Sequence, residues 1–132
     1  MKQKMLEQMA AVTAAQYMQE HAKIQPALAR EAQLRGQLAK LNSQVQAARA
    51  QADSDHTMKA LGADLLWQGW HSRTRRQLNL ELAQATAQKL RMMDQLRKAF
   101  GRKHAVETMA GSERKRRKAD QAKAFMERLL DG

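Results

Sequence analysis

The sequence predicts an all-α protein, a long antiparallel two-helix coiled-coil hairpin whose second helix is the longer. Three observations carry that expectation. Apolar residues recur at alternating steps of three and four along two long stretches, the heptad spacing of helices packed side by side. The 132 residues include 24 Ala and 16 Gln, and aromatic residues make up only 4% of the chain. Ala, Leu, Met and Gln form helices readily and suit a narrow seam, whereas a sheet calls for β-branched and aromatic side chains. Only one proline interrupts the chain. Such a composition buries a stripe along a helix rather than a thick core, which excludes an all-β fold and argues against a pocketed enzyme.

Helix one is expected over about 2–52. Its seam runs Leu34, Leu38, Leu41, Val45, Ala48, Ala52, in steps of 4, 3, 4, 3, 4. Run backwards, the same frame meets Glu31, Ala27, Ile24, Glu20 and Tyr17, a less regular stretch, and Met5, Met9 and Val12 extend an apolar face upstream. Pro26 lies inside this pattern and is expected to kink the helix or mark its restart. Asp53-Ser54-Asp55 suits a turn over about 53–57, since Asp and Ser oxygens accept from free backbone N–H groups.

Helix two is expected over about 58–130. Its seam reads Leu78, Leu82, Ala85, Lys89, Met92, Leu96, Ala99, Lys103, Val106, Ala110, widened by Leu90, Met93 and Phe100, and it resumes at Ala119, Ala122, Met126 and Leu129. A short polar link can only return the second helix antiparallel to the first. With a turn at 53–57, Met1 is expected opposite residues near 109, so that residues 111–132 project beyond the first arm. Gly111-Ser112 offers the alternative of a break, although one glycine costs only about 1 kcal/mol in a long helix. The length fits a single coiled-coil domain, 1–132.

The charge narrows the partner classes. Lys and Arg number 24 against 13 Asp and Glu, a net charge of +11. Residues 53–72 are net acidic, and the flanking stretches carry the excess of positive charge. Such an imbalance implies an acidic partner or surface. The absence of cysteine removes disulfides, thiolate zinc sites and cysteine nucleophiles, and fits a reducing compartment. No apolar run approaches the roughly 18 residues that span a membrane, and Glu7, Gln8 and Gln16 interrupt the stretch after the basic start, so a cytoplasmic protein is expected.

Enzymatic chemistry finds no foothold. The four histidines, His21, His56, His71 and His104, are far apart with no His-x-x-x-His pair, and are read as solvent-facing helix residues. The glycines form no phosphate-cradling loop, and no Ser-His-Asp grouping is legible. No catalytic residue, cofactor or metal site is expected. Three features remain. Leu66, Trp67 and Trp70 are a candidate partner-docking knob, or else a local cap of the hairpin tip over Val45, Ala47 or Ala48. The run Arg114, Lys115, Arg116, Arg117, Lys118 is either an electrostatic contact or a solvated helix surface. Lys89 and Lys103 fall at inner seam positions, where lysine lowers stability and selects register or partner.

One stretch carries a resemblance. Leu96-Arg97-Lys98-Ala99-Phe100-Gly101-Arg102-Lys103-His104-Ala105-Val106-Glu107-Thr108-Met109, with the charged helix through Asp120-Gln121 to Glu127-Arg128-Leu129, resembles the FliJ family of flagellar central-stalk proteins and the YscO-like proteins of injectisomes. Arg102-Lys103, Val106-Glu107 and Met109 are similar to the family's basic pair, Leu-Glu and Leu pattern, and length, hairpin and basic charge agree across nearly the whole chain. The resemblance implies a non-enzymatic stalk that inserts into the hexameric export ATPase of a type III apparatus and promotes ring assembly. It further implies contact with the cytoplasmic domain of the export gate and with export chaperones, at the inner membrane but only through partners. By position, the open end of the hairpin, with Met5, Met9, Arg114 to Lys118, Phe125, Met126 and Leu129, would then meet the ATPase, and Leu66, Trp67 and Trp70 would be candidates for the gate. Two other classes stand beside it. A nucleic-acid-binding basic coiled coil would use the charge directly, and a homo-oligomeric coiled coil would pair the Leu78–Leu96 stripe between chains. A stalk is expected to be a monomer.

Overall fold

The computed structural model describes residues 2–54 and 62–132. Among them the chain is all-α, with α1 over Lys2–Ser54 and a longer α2 over Ala63–Asp131 packed against each other. The expected turn from residue 55 onward, the expected helix start at 58, and His56 lie outside the described residues, as does the side chain of Ala52. Gly62 precedes α2 with φ at 72°, a left-handed backbone that glycine adopts without a Cβ penalty, and its carbonyl accepts the first bond of the helix from Leu66 N–H. Pro26 is accommodated inside α1 and Gly111 inside α2, so neither residue ends its helix. The chain divides into two compact units, one formed by residues 1–23 and 92–132, the other by residues 24–91.

In the unit of residues 24–91, Ile24, Ala27, Leu34, Leu41 and Val45 of α1 face Ala85 and His71 of α2 as buried side chains. The irregular Glu31 of the seam is explained by its partner. Lys89 Nζ reaches both carboxylate oxygens of Glu31, at 3.0 and 2.8 Å, with both side chains largely buried. Hydrogen bonding from Lys89 first, and then the positive charges of Lys89 and Arg35, hold the Glu31 carboxyl below its usual range against the opposing effect of burial. Arg30 to Glu81 at 3.5 Å, and Arg75 donating to the Asn42 amide oxygen, confirm the antiparallel order of the two strands of helix in this unit.

In the unit of residues 1–23 and 92–132, the inner positions of α1 are Gln3, Leu6, Ala10, Thr13, Tyr17 and Glu20, still alternating by three and four. Opposite them lie Met92, Leu96, Ala99, Lys103, Val106, Ala110 and Glu113. Buried Thr13 donates its hydroxyl to the Met9 and Ala10 carbonyls at 2.9 and 3.1 Å. Lys103 keeps its inner position by lying 5.7 Å from the Tyr17 ring centroid and 2.9 Å from Glu107.

Two expectations are corrected here. Met5, Met9 and Val12 do not continue the seam but stand exposed beside it, because Leu6, Ala10 and Thr13 take the inward face. The register also differs. Lys2 meets Glu113 and Gln3 accepts from Arg117, so residues 111–113 pack against α1 instead of projecting beyond it. The seam contacts select this register: Glu31 pairs with Lys89 and Gln3 with Arg117, each partner lying further along α2 than a turn at 53–57 would place it.

Candidate functional site

The candidate contact residues divide between the units. Met5, Met9, Arg114 to Lys118, Phe125, Met126 and Leu129 all belong to the unit of residues 1–23 and 92–132, while Leu66, Trp67 and Trp70 belong to the other.

In the first of these units, every side chain from Arg114 onward except Ala124 is exposed. Phe125, Met126, Leu129 and Leu130 recur at helical spacing and remain open to solvent, Leu130 at 82% of its area. An apolar stripe at the end of a helix, bordered by lysine and arginine, is the surface a partner groove or a third helix covers. Met5, Met9 and Val12 form a second exposed stripe, which lines a shallow hollow of about 280 Å³ with Gln8 and Thr13. Methionine suits adaptable contact surfaces because its side chain is unbranched and polarisable.

The basic run is not uniform. Glu113 is only 6% exposed, accepts from Arg116 Nη2 at 2.7 Å and lies 4.0 Å from Lys2. The Arg116 hydrogen bond is the main reason its carboxyl sits below the usual range, with the charges of Arg116, Lys2 and Arg117 adding to it against desolvation. Arg117 donates to Gln3. Two of the five cations are thus engaged with residues at the start of α1 or with the buried carboxylate beside it, whereas Arg114, Lys115 and Lys118 point into solvent without a hydrogen bond or ion pair.

The sequence missed a row of rings. Tyr17 lies 6.1 Å from His21 and 5.9 Å from Phe100, and Phe100 stacks on His104 at 6.1 Å. The signal was present as the i, i+4 spacings of Tyr17 with His21 and of Phe100 with His104, but only the register joins the two pairs across the helices.

In the unit of residues 24–91, Leu66 is exposed and Trp70 is 47% exposed, above a hollow lined by Gln37, Leu41, Gln44, Thr74 and Leu78. Trp67 turns further inward and stacks on His71 at 5.5 Å and 9°. His21 and His104 are exposed, as expected, but His71 departs from the reading of the histidines as solvent-facing. It is 6% exposed, and its Nε2 has no hydrogen-bond partner. His71 lies one heptad before Leu78 on the inner frame of α2, where Trp67 and Thr74 are partly covered beside it. Burial chiefly, then the charges of Arg75 and Arg49, push the His71 pKa down.

Among the described residues no group of three or more His, Asp or Glu is arranged to hold a metal ion, and no helix is long and apolar enough to cross a membrane. No protein-family model, curated protein or solved structure matches the chain.

Proposed function

We propose that this protein is a stalk of a flagellar-type type III export apparatus. It enters the ring of the export ATPase, promotes assembly of the hexamer and links it to the export gate, as the resemblance at Leu96–Met109 and Asp120–Leu129 implies. The observation that carries this reading is the unit holding both ends of the chain. There two narrow helices present a solvent-facing apolar stripe, Phe125, Met126, Leu129 and Leu130, next to the unengaged cations Arg114, Lys115 and Lys118. A slender basic surface with apolar anchors at one end suits a ring whose inner wall supplies carboxylates and apolar pockets. Leu66 and Trp70 are the corresponding anchors for the gate, and the exposed Met5, Met9 and Val12 are open to the ATPase or to a chaperone helix. On this reading the protein works in the cytoplasm and reaches the inner membrane only through its partners.

The test is the ATP turnover and oligomeric state of the cognate export ATPase with and without this protein. Stimulated turnover together with hexamer formation is the expected result, and neither effect appearing overturns the proposal. A nucleic-acid-binding reading has its own support in the +11 charge and in the exposed ring of Phe100, since bases stack on exposed rings beside cations. It requires binding whose log K falls steeply with log salt concentration. The homo-oligomer reading has less support, because Leu34, Leu41, Val45 and Ala85 are buried within a single chain.

A further inference from the structure

An open recess of about 410 Å³ lies in the unit of residues 24–91. Its rim is polar. Asn42, Gln46 and Arg49 come from α1, Arg75 and Asn79 come from α2, and none of the residues lining it is acidic. Leu38 and Val45 form the apolar floor. Arg75 donates to the Asn42 side-chain oxygen, so one guanidinium is positioned by an amide and not neutralised by a carboxylate in that bond. Two guanidinium groups from opposite helices, with three amides lining the same recess, supply the planar paired donors from which carboxylate and phosphate oxygens accept.

Beside this rim, one helical turn before Arg75, lies the buried His71 with its partnerless Nε2. The charged groups acting on it are Arg75 from its own helix and Arg49 from α1, both cationic, and together with burial they favour the neutral imidazole. An anion placed between these two arginines would cancel their effect on the ring.

We infer that this recess binds an oxyanion, a carboxylate or phosphate group held between Arg49 and Arg75, and that its occupancy is linked to protonation of His71. The linkage has a fixed sign. The bound anion favours the imidazolium, so the anion binds more tightly as pH falls, and equally the His71 pKa rises when the anion binds. The inference does not rest on the stalk reading, because it requires no ring, gate or chaperone.

The experiment follows the imidazole C2 protons of the full-length protein by NMR across pH, in chloride and then in inorganic phosphate or glutamate at matched ionic strength. His21 and His104, which belong to the other unit, serve as internal controls. The His71 midpoint is expected to move up by roughly half a pH unit or more at saturating anion while the controls stay within their chloride values. A response to phosphate alone identifies a phosphate source, and a response to glutamate alone identifies acidic side chains. Either one supports the site. The Arg49→Gln/Arg75→Gln variant is expected to start from a higher His71 midpoint in chloride and to lose the anion response, while Arg49→Lys/Arg75→Lys keeps part of it. Circular dichroism checks that each variant retains its helix. An unchanged His71 midpoint in both anions overturns the inference, as do equal shifts in all resolved histidines or an undiminished response in the Gln variant.

Discussion

Leu34→Ala tests the seam most directly. Leu34 is the one large side chain with no exposed surface among the described residues, and it lies between Ala27 and Leu41 on the inner face of α1. Fully burying a leucine side chain is worth about 1.5–3 kcal/mol, and truncation adds a cavity term wherever the surroundings fail to close. A seam only two helices thick can close partly, since flanking side chains lean in from both sides. The expected loss is therefore about 3 kcal/mol, in the lower half of the range for buried leucines. Leu34→Val, which removes a single carbon, is expected to cost roughly 1 kcal/mol and covers the case in which the alanine variant is too unstable to measure. Leu66→Ala, at a side chain with 79% of its surface exposed, is expected to stay within about 0.5 kcal/mol of the parent. Urea unfolding followed at 222 nm, with the slope compared among variants, supplies the numbers. If Leu34→Ala costs less than about 1 kcal/mol, or no more than Leu66→Ala, the two-helix core described for residues 24–91 is wrong.

Other consequences can be checked with the same preparations. Because its folded pKa lies below the ordinary value of 4.5, Glu31 contributes stability that is present above that pH and is lost as pH falls through the folded value, so Glu31→Gln is expected to flatten the acid limb of the stability curve. His71 is likewise depressed from 6.5, which means stability falls as pH drops below that point; His71→Leu should remove this dependence and match or exceed parental stability at neutral pH. Gly36 and Gly101 sit in helix interiors with open space where a Cβ would go, so alanine at either should raise stability by about 0.5–1 kcal/mol, whereas Gly62→Ala forces a left-handed backbone and should lower it by roughly 1 kcal/mol. On the stalk reading, replacing Arg114, Lys115 and Lys118 with Glu is expected to weaken binding to the export ATPase without loss of helicity. The same change at Arg116 should also loosen the Glu113 contact and lower the melting temperature, and a uniform response across the run would contradict this division of roles.

The helical class, the greater length of the second helix and the inward lysines were legible because a 3–4 repeat is local information. Lys89 and Lys103 could be placed at the seam by counting alone. What each of them meets could not, since Glu31 and Tyr17 become partners only once the register between the two helices is set. The same gap shifted the expected start of the solvent-exposed segment of α2 from residue 111 to about Arg114. Met5, Met9 and Val12 show a different limit. Their spacing fits one helical face, but periodicity does not say whether that face or the adjacent one, with Leu6, Ala10 and Thr13, turns inward, and the larger side chains were the wrong guide. His71 was misread because it was judged by residue type and not by position, although it lies one heptad before Leu78 on the inner frame. The candidate contact residues were legible as exposed and apolar or basic, yet the engagement of Arg116 and Arg117 within the chain depends on the register again.

The seam carries more polar groups than packing alone would select. Glu31 with Lys89, Lys103 over Tyr17, Thr13, His71 and Glu113 all occupy inward positions that leucine could fill. A buried pair of opposite charges adds little net stability, because desolvation offsets most of the attraction, but a mismatched register would leave each charge alone and is strongly disfavoured. Ala at Ala27, Ala85, Ala99 and Ala110 lets the helices approach closely while burying little area. Sequence of this kind trades strength for a unique alignment. That trade is useful to a protein whose partners read both helices at once. A slip of one heptad would carry α2 about 10 Å along α1, breaking the contacts of Lys2 with Glu113 and of Gln3 with Arg117, and would separate Arg49 from Arg75 across the recess they share. On the stalk reading, the ionic and aromatic positions of the seam therefore act on function through register, keeping each composite surface assembled before any partner covers it.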